Sequence, residues 1–431
     1  AFDQFGNLFT VDNNANIGDL SRVHYIIEGG NAGWHTGHQV LTTFSRHVGL
    51  KNDTFTPWTA DGIWKTKFEG QPADIIPPVA YLTSGPVGLM YNPGIGLPER
   101  YSNHFFVCDY KASAPRSGVH AFAFERDGAG YKMVGAHEFI WGINNTDVEF
   151  GYDGRLYISD YIGGWGIPNK GRIHVAWHTE SAKEERIAEV KKIFTEGFKR
   201  PQSELAEMLG HPDMRVRLRA QFALAKAGGI EHFISASNGG ENLLLRLHGV
   251  WGIGQCLRLA ADNKLKAGRE TIENALQALA ALLGDREYEI RRHAGRSLGN
   301  AGQEILKASG FVLNLIPLLR DNDLSVRVEA GIALGKLKSR DAVQPLLKLL
   351  AENADKDVYV RHAGVMGIVG CMAPPDLVAL GVNENASVRL GAVLALRRLK
   401  HPGIARFLKD RNAAVVREAI RAINDENIAE A

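Results

Sequence analysis

The spacing of polar and apolar positions changes rhythm near residue 180. From about residue 205 onward one phrase recurs: a polar turn holding Asp or Asn, a Val-Arg or Ile-Arg pair, then small and apolar residues at helical spacing. The turn His211-Pro212-Asp213 precedes Val216-Arg217, Gly284-Asp285 precedes Ile290-Arg291, and Asp321-Asn322-Asp323 precedes Val326-Arg327. The same order returns in Asp355-Lys356-Asp357 before Val360-Arg361, Asn383-Glu384-Asn385 before Val388-Arg389, and Asp410-Arg411-Asn412 before Val416-Arg417. A degenerate copy spans 243–255. The apolar residues before each Arg stand at 216, 290, 326, 360, 388 and 416; the long first step contains the degenerate copy. The pattern predicts roughly seven helix pairs. Asp or Asn before a helix accepts from its orphan N–H groups. Ala and Gly in the next turns allow close helix approach, and Leu349-Leu350 closes the preceding helix on the same core. The repeated Arg is expected to reach the acidic turn of the adjacent repeat. No repeat can bury its apolar face alone, so the array is stable only as a stack.

Residues 1–178 read instead as short strands between Gly, Asn, Asp and Pro turns. Phe5-Gly6-Asn7-Leu8-Phe9-Thr10-Val11-Asp12 and Tyr152-Asp153-Gly154-Arg155-Leu156-Tyr157-Ile158-Ser159-Asp160 share one design, a tight turn and an alternating strand ending in Asp. His104-Phe105-Phe106-Val107-Cys108-Asp109 is a third strand, and Val119–Phe124 runs into the turn Asp127-Gly128. Strand ends marked by Asp along one rim predict propeller-type blades.

The helical half resembles HEAT repeats, with a repeat shorter than usual. The first half resembles the sorbosone/soluble glucose dehydrogenase β-propellers. That resemblance rests on Asp12-Asn13-Asn14 through Gly18-Asp19-Leu20-Ser21-Arg22, Ile27-Glu28-Gly29-Gly30-Asn31-Ala32-Gly33-Trp34, Pro77–Tyr81, Gly85–Tyr91, Leu97–Tyr101 and Ser117–His120. Together the two halves resemble planctomycete-type multidomain membrane-bound dehydrogenase or haem-binding proteins. The fold class expected is multidomain, β plus α: a partial β-propeller of three to four blades over 1–178, a helical linker over 179–204 and a HEAT-repeat α-solenoid over 205–431. The resemblance implies a quinone-dependent sugar or polyol dehydrogenase, with PQQ and Ca²⁺ as cofactors and an exported or periplasmic location. A c-type cytochrome domain or protein is an implied partner. About 178 residues fall short of the family's six blades, so the resemblance places the remaining blades, and the catalytic His, before Ala1. A non-catalytic carbohydrate- or protein-binding propeller with a HEAT scaffold, and a Ca²⁺-dependent lactonase-like hydrolase, are the alternatives. On the helical array the expected partner is a protein.

Charge divides as the pattern does. Residues 1–180 hold 13 Lys and Arg against 18 Asp and Glu, and residues 181–431 hold 37 against 30. The basic excess recurs at fixed repeat positions rather than clustering, so no nucleic-acid footprint is expected. No apolar run is long enough to span a membrane. The start Ala1-Phe2-Asp3-Gln4 has no leader pattern and reads as a processed product or a fragment. Cys108, Cys256 and Cys371 form neither CxxC nor CxxCH, which excludes a zinc ribbon and an attached haem.

Four groups of residues are candidates for chemistry. Asp12, Asn14, Asn16 and Asp19 place oxygen ligands at close spacing on a loop with Gly18, which suits Ca²⁺; an Asx-rich turn capping its own backbone is the alternative. Trp34 and His35, with His38 nearby, suit a sugar- or quinone-facing rim or a packed loop. Lys111 and Arg116 stand where the resemblance puts a cofactor-facing loop, and could meet an anionic quinone or a sugar, although the Trp and Asn of that loop are absent. Asp109, Asp147, Asp160 and Trp165 lie at strand ends, where carboxylates act as bases or bind turn N–H groups. His293 and His362 follow the repeat Arg in register, as a metal or pH device or as packed positions.

Overall fold

The computed structural model describes residues 1–13, 20–33, 65–66, 70–164, 166, 169–302 and 310–431. The described chain forms two compact units. The first holds 1–71, 75–200 and 211–219, and the second holds 72–74, 201–210 and 220–431.

The first unit is built of antiparallel strands. β1 (Leu8–Val11), β2 (Arg22–Ile26) and β3 (Ala80–Tyr81) make one sheet. β4 (Pro86–Tyr91), β5 (His104–Asp109), β6 (Gly118–Asp127) and β7 (Gly130–Trp141) make a second. β8 (Asn145–Phe150), β9 (Leu156–Asp160) and β10 (Arg172–Ala176) make a third, in the order β10-β9-β8. Alternation does what the sequence implies: Phe106, Cys108, Val119, Ala121, Val148 and Ile158 point into one buried core between the second and third sheets. Phe9 joins a second aromatic cluster, stacked on Phe124 at 4.0 Å and edge-on to Phe105 at 5.2 Å. Helix α1 (Glu185–Glu196) follows, with Ile187, Val190 and Ile193 buried at helical spacing.

The expected partial propeller is not formed. The described sheets have three, four and three strands, and none closes into a barrel or a propeller. Alternation and turn residues specify which strands form hairpins, because those contacts are local. Radial closure depends on contacts between sheets distant in sequence, and no local pattern encodes it.

The second unit is helical. It comprises α2 (Gln202–Glu207), most of α3 (Met214–Lys226), α4 (Ile230–Ser237), α5 (Leu243–Ala261), α6 (Arg269–Leu282), α7 (Tyr288–Asn300), α8 (Leu324–Leu337), α9 (Val343–Asn353), α10 (Val358–Cys371), α11 (Pro374–Ala379), α12 (Ala386–Arg398) and α13 (Ala413–Asp425). Helices α5, α7, α8, α10 and α12 pack successively on one another as one layer, with α6 and α9 among those behind it. The Asx caps appear where the pattern puts them: Asn242, Asp323, Asp357, Asn385 and Asn412 accept from the first-turn N–H groups of α5, α8, α10, α12 and α13. Small residues let the front layer close up. A Cβ on Gly370 of α10 would lie 1.9 Å from the carbonyl oxygen of Gly335 on α8, and one on Gly335 would lie 2.4 Å from that of Met366. At these two positions only a hydrogen fits.

Candidate interaction surface

The repeat Arg is a clamp, buried at Arg217, Arg361 and Arg389 and half-buried at Arg291 and Arg327, while Arg417 in the last copy is exposed. Its guanidinium first turns back to its own turn: Arg217 donates to the carbonyls of His211 and Pro212, Arg291 to Asp285 and Arg286, Arg389 to Asn383 and Glu384. These carbonyls precede the helix and have no helical partner, so the planar fork satisfies them. In three repeats the guanidinium also reaches forward. Arg291 pairs bidentately with Asp321 at 2.7 Å on both oxygens, and Arg389 with Asp410 at 2.7 and 3.0 Å. Arg246, in the degenerate copy, pairs with Asp285. Arg361 instead pairs with Asp355 of its own turn, and Arg327 donates to the Asp321 carbonyl. The Arg389–Asp410 pair is 3% exposed on both sides. Burial raises the Asp410 carboxyl, but the Arg389 guanidinium and the Asn412 N–H outweigh it and hold the group below its ordinary value.

Across the front layer runs a row of polar and aromatic side chains that no motif announced. Gln221 bonds Gln255 at 3.0 Å and His248 at 2.8 Å. Trp251 stands edge-on between His248 and His293, with centroids at 4.8 and 5.2 Å. Glu289 takes Arg292 at 2.5 Å and faces His293 at 3.7 Å. Arg296 of α7 pairs with Glu329 of α8, and Lys336 of α8 donates to Asn300 of α7 at 2.5 Å. Gln255, Arg296, Asn300, Lys336, Met366 and Val369 are half-buried and lie in the C-terminal halves of their helices. They form a surface strip, polar over α7 and α8 and apolar over α10. His293 and His362 are both buried, 1% and 6% exposed. Among the described residues no three His, Cys, Asp or Glu side chains are placed to hold a metal. Of this row the sequence marked only His293; the links between helices, Gln221–His248, Trp251–His293 and Arg296–Glu329, form only through helix stacking.

The residues singled out in the first unit separate into partnered structural groups. Both oxygens of Asp12 are occupied: Oδ1 accepts from the Arg22 N–H at 2.8 Å and Oδ2 from Arg22 Nε at 2.8 Å, with His24 at 3.4 Å. Burial raises this carboxyl, but His24 and Arg22 outweigh it and hold it below its ordinary value. Asp12 thus faces a guanidinium that is 1% exposed. Asn14, Asn16, Asp19, Trp34, His35, His38 and Trp165 lie outside the described residues. Lys111 turns to the fully buried Asp109, Nζ to Oδ2 at 2.9 Å, with His120 at 3.5 Å on the same oxygen. The other oxygen accepts from the Gly85 N–H at 3.2 Å. Burial raises Asp109, but His120 and Lys111 outweigh it and hold the group ionised below the usual range. Asp109 therefore latches a strand end, and its pairing with His120 needs the β5–β6 register to be seen. Arg116 is exposed at the end of a short helical turn. A cleft of about 450 Å³ has Val87, Tyr110, Thr146 and Tyr161 among its walls, and neither Lys111 nor Arg116 lines it. Lys111 and Arg116 are thus not brought together on this cleft, and Trp34 and His35 lie outside the described residues. Asp160 binds His174 at 2.9 Å, and Asp147 caps the Val148 N–H at 2.9 Å. The three cysteines are free and buried, and burial pushes the Cys108 and Cys256 thiols up to about 12 and that of Cys371 to about 11.

Residues 275–368 match the family model described as HEAT repeats. The chain is similar to an archaeal HEAT-like repeats protein from Thermococcus onnurineus NA1, at 16% identity and a TM-score of 0.31, covering 55% of this chain and all of that one. It is similar to the CpcE–CpcF complex of phycocyanin lyase from Nostoc sp. PCC7120, at 16% identity and a TM-score of 0.30, covering 55% and 96%. It is also similar to a designed armadillo repeat protein in complex with the peptide (KR)4, at 18% identity and a TM-score of 0.31, covering 53% and 100%. No curated protein matches the chain. The expected kinship with sugar-dehydrogenase propellers is therefore corrected: the family match falls on helical repeats, and the sheets of the first unit do not close. No helix of the described residues is long and apolar enough to cross a membrane.

Proposed function

We propose that this chain is a protein-interaction scaffold whose HEAT-type second unit carries the partner site, on the strip over α7, α8 and α10. One observation carries the reading: residues 275–368 match HEAT repeats, and Arg296, Asn300, Lys336 and Met366 of that span are half-buried in the C-terminal halves of helices whose other residues there are mostly buried. A stack of repeats presents one continuous surface that a globular enzyme core does not, and its clamps keep that surface rigid. Rigid presentation lowers the ordering cost of binding.

The test compares wild type with the double variant Lys336→Glu/Met366→Glu, each immobilised and challenged with extract of its source cells. Circular dichroism melts first establish that both are folded. Proteins enriched by wild type are identified by quantitative mass spectrometry and titrated individually. The expected result is a partner whose affinity falls at least about tenfold in the variant, the loss of about 1.4 kcal/mol. Identical enrichment by both proteins would overturn the assignment of the strip.

A further inference from the structure

Among the described residues β10 is the outer strand of its sheet. Arg172–Ala176 pair with β9 on one side, and among the described residues no backbone group pairs with their other edge. Directly opposed residues share a face, so Val175 stands beside Tyr157 and Ile173 beside Ser159. His174 and Ala176 point the other way, His174 to Asp160 and Ala176 to the core. The outward positions Ile173, Val175 and Trp177 are 68%, 38% and 55% exposed. Free edges are commonly blunted by a bulge, a Pro or a charge on the exposed face. This strand has a regular ladder, no Pro and no outward charge.

The apolar row continues into a cleft of about 460 Å³ whose walls include Tyr152, Tyr157, Lys191 and Phe194. Tyr152 and Phe194 stack at 3.7 Å and form a flat aromatic wall. The charge around the edge is basic. Lys170 and Arg172 flank its start, Arg155 lies 5.2 Å over the Trp177 ring at its end, and Lys191 stands on the cleft. Of the acids beside the edge, Asp160 is engaged by His174 and Arg172 and Asp153 by the Tyr157 hydroxyl and Arg155, while Asp147 and Glu149 are exposed on the same face two strands in, on β8. A second copy fits poorly, since antiparallel self-pairing would bring Lys170 and Arg172 of one copy to the Arg155 end of the other.

We propose that this edge receives an extended acidic segment of a protein partner as a fourth strand. Its alternate apolar residues cover Ile173, Val175 and Trp177, and its flanking Asp or Glu residues meet Lys170, Arg172, Arg155 and Lys191. Main-chain bonds along β10 supply affinity, and the apolar row with the cleft supplies register. This site is independent of the helical strip.

The probe is the synthetic peptide Glu-Glu-Val-Thr-Val-Thr-Val-Glu-Glu, fluorescently tagged and titrated with the full chain by polarisation. Saturable binding is expected, weakening at least about tenfold on Val175→Lys or Ile173→Lys, the loss of about 1.4 kcal/mol. Alternate N-methylation of the peptide backbone should abolish it, and raised salt should weaken it as exposed charges are screened. Both variants change exposed side chains, and their melts confirm that they fold. Absence of binding up to about 1 mM, an affinity of only about 4 kcal/mol, would overturn the proposal. So would undiminished binding of the N-methylated peptide or by both variants. A wild-type dimer in sedimentation that Val175→Lys dissolves would assign the edge to a second copy instead.

Discussion

The two units solve the same problem, burying the apolar face of each element, by different means. In the helical unit the front-layer helices lean on neighbours close in sequence, through devices used again and again: an Asx cap on all of them but α7, an Arg turned back on its own turn in most, and in three repeats an acid in the next turn. In the sheet unit, cores form between strands far apart, as where Phe9 of β1 stacks on Phe124 of β6. A repeated local device yields stability that adds repeat by repeat. A core shared between sheets yields all-or-none stability, and among the described residues it leaves one edge of β10 unpaired.

The largest expected effects break this comparison directly. Phe106→Ala empties a fully buried site between the second and third sheets and should cost about 3–5 kcal/mol. Hydrogen exchange should show protection falling across both sheets. Asp410→Ala leaves the Arg389 guanidinium buried without its acid and should also cost about 3–5 kcal/mol. Here protection should fall chiefly in α12 and α13. Equal loss throughout the helical unit would show that its repeats do not add independently.

Smaller changes sharpen the contrast. Gly370→Val drives a side chain into the Gly335 carbonyl and should cost about 2 kcal/mol or more, read by urea unfolding. Asp357→Ala removes the caps of the Tyr359 and Val360 N–H groups and should cost about 1 kcal/mol. Acid titration reaches both units. Asp12, Asp109 and Asp410 all have folded values below the ordinary 3.8. Their stabilisation is therefore complete above that value and is lost as pH falls through the lower folded values. Asp109→Asn and Asp410→Asn should each flatten the acid limb of a stability–pH curve. The smallest effect is expected from Trp177→Ala, below about 1 kcal/mol, because the side chain is 55% exposed and its cation–π contact with Arg155 is at the surface. A larger loss would mean that the β10 face already has a structural role in the isolated chain.

Much of the helical unit could be read from its residues alone. Asp323, Asp357, Asn385 and Asn412 announced helix starts because a cap acts within three residues. Val326-Arg327 and its equivalents marked the same turn in each repeat. The forward reach of the Arg was legible in principle, and Arg291 and Arg389 make it, but Arg361 turns to Asp355 of its own repeat. The choice depends on where the next turn lies, which stacking decides. The strip containing Lys336 and Met366, and the Gln221–His248–Trp251–His293 row, depended on that stacking wholly.

In the sheet unit the sequence by itself determined strands, turns and which residues face inward, since alternation is a property of neighbours along the chain. Strand ends at Asp109 and Asp160 were visible, while their partners His120 and His174 came only with cross-strand register. Candidate ligands such as Asp12 and Lys111 looked available because a sequence shows side chains without their partners; folding brought Arg22 to the first and Asp109 to the second. Whether the sheets closed was settled only in three dimensions, because closure depends on contacts between distant segments. For the same reason only the tertiary structure exposed Ile173, Val175 and Trp177: alternation put them on one face, and the layering of the sheets left that face bare.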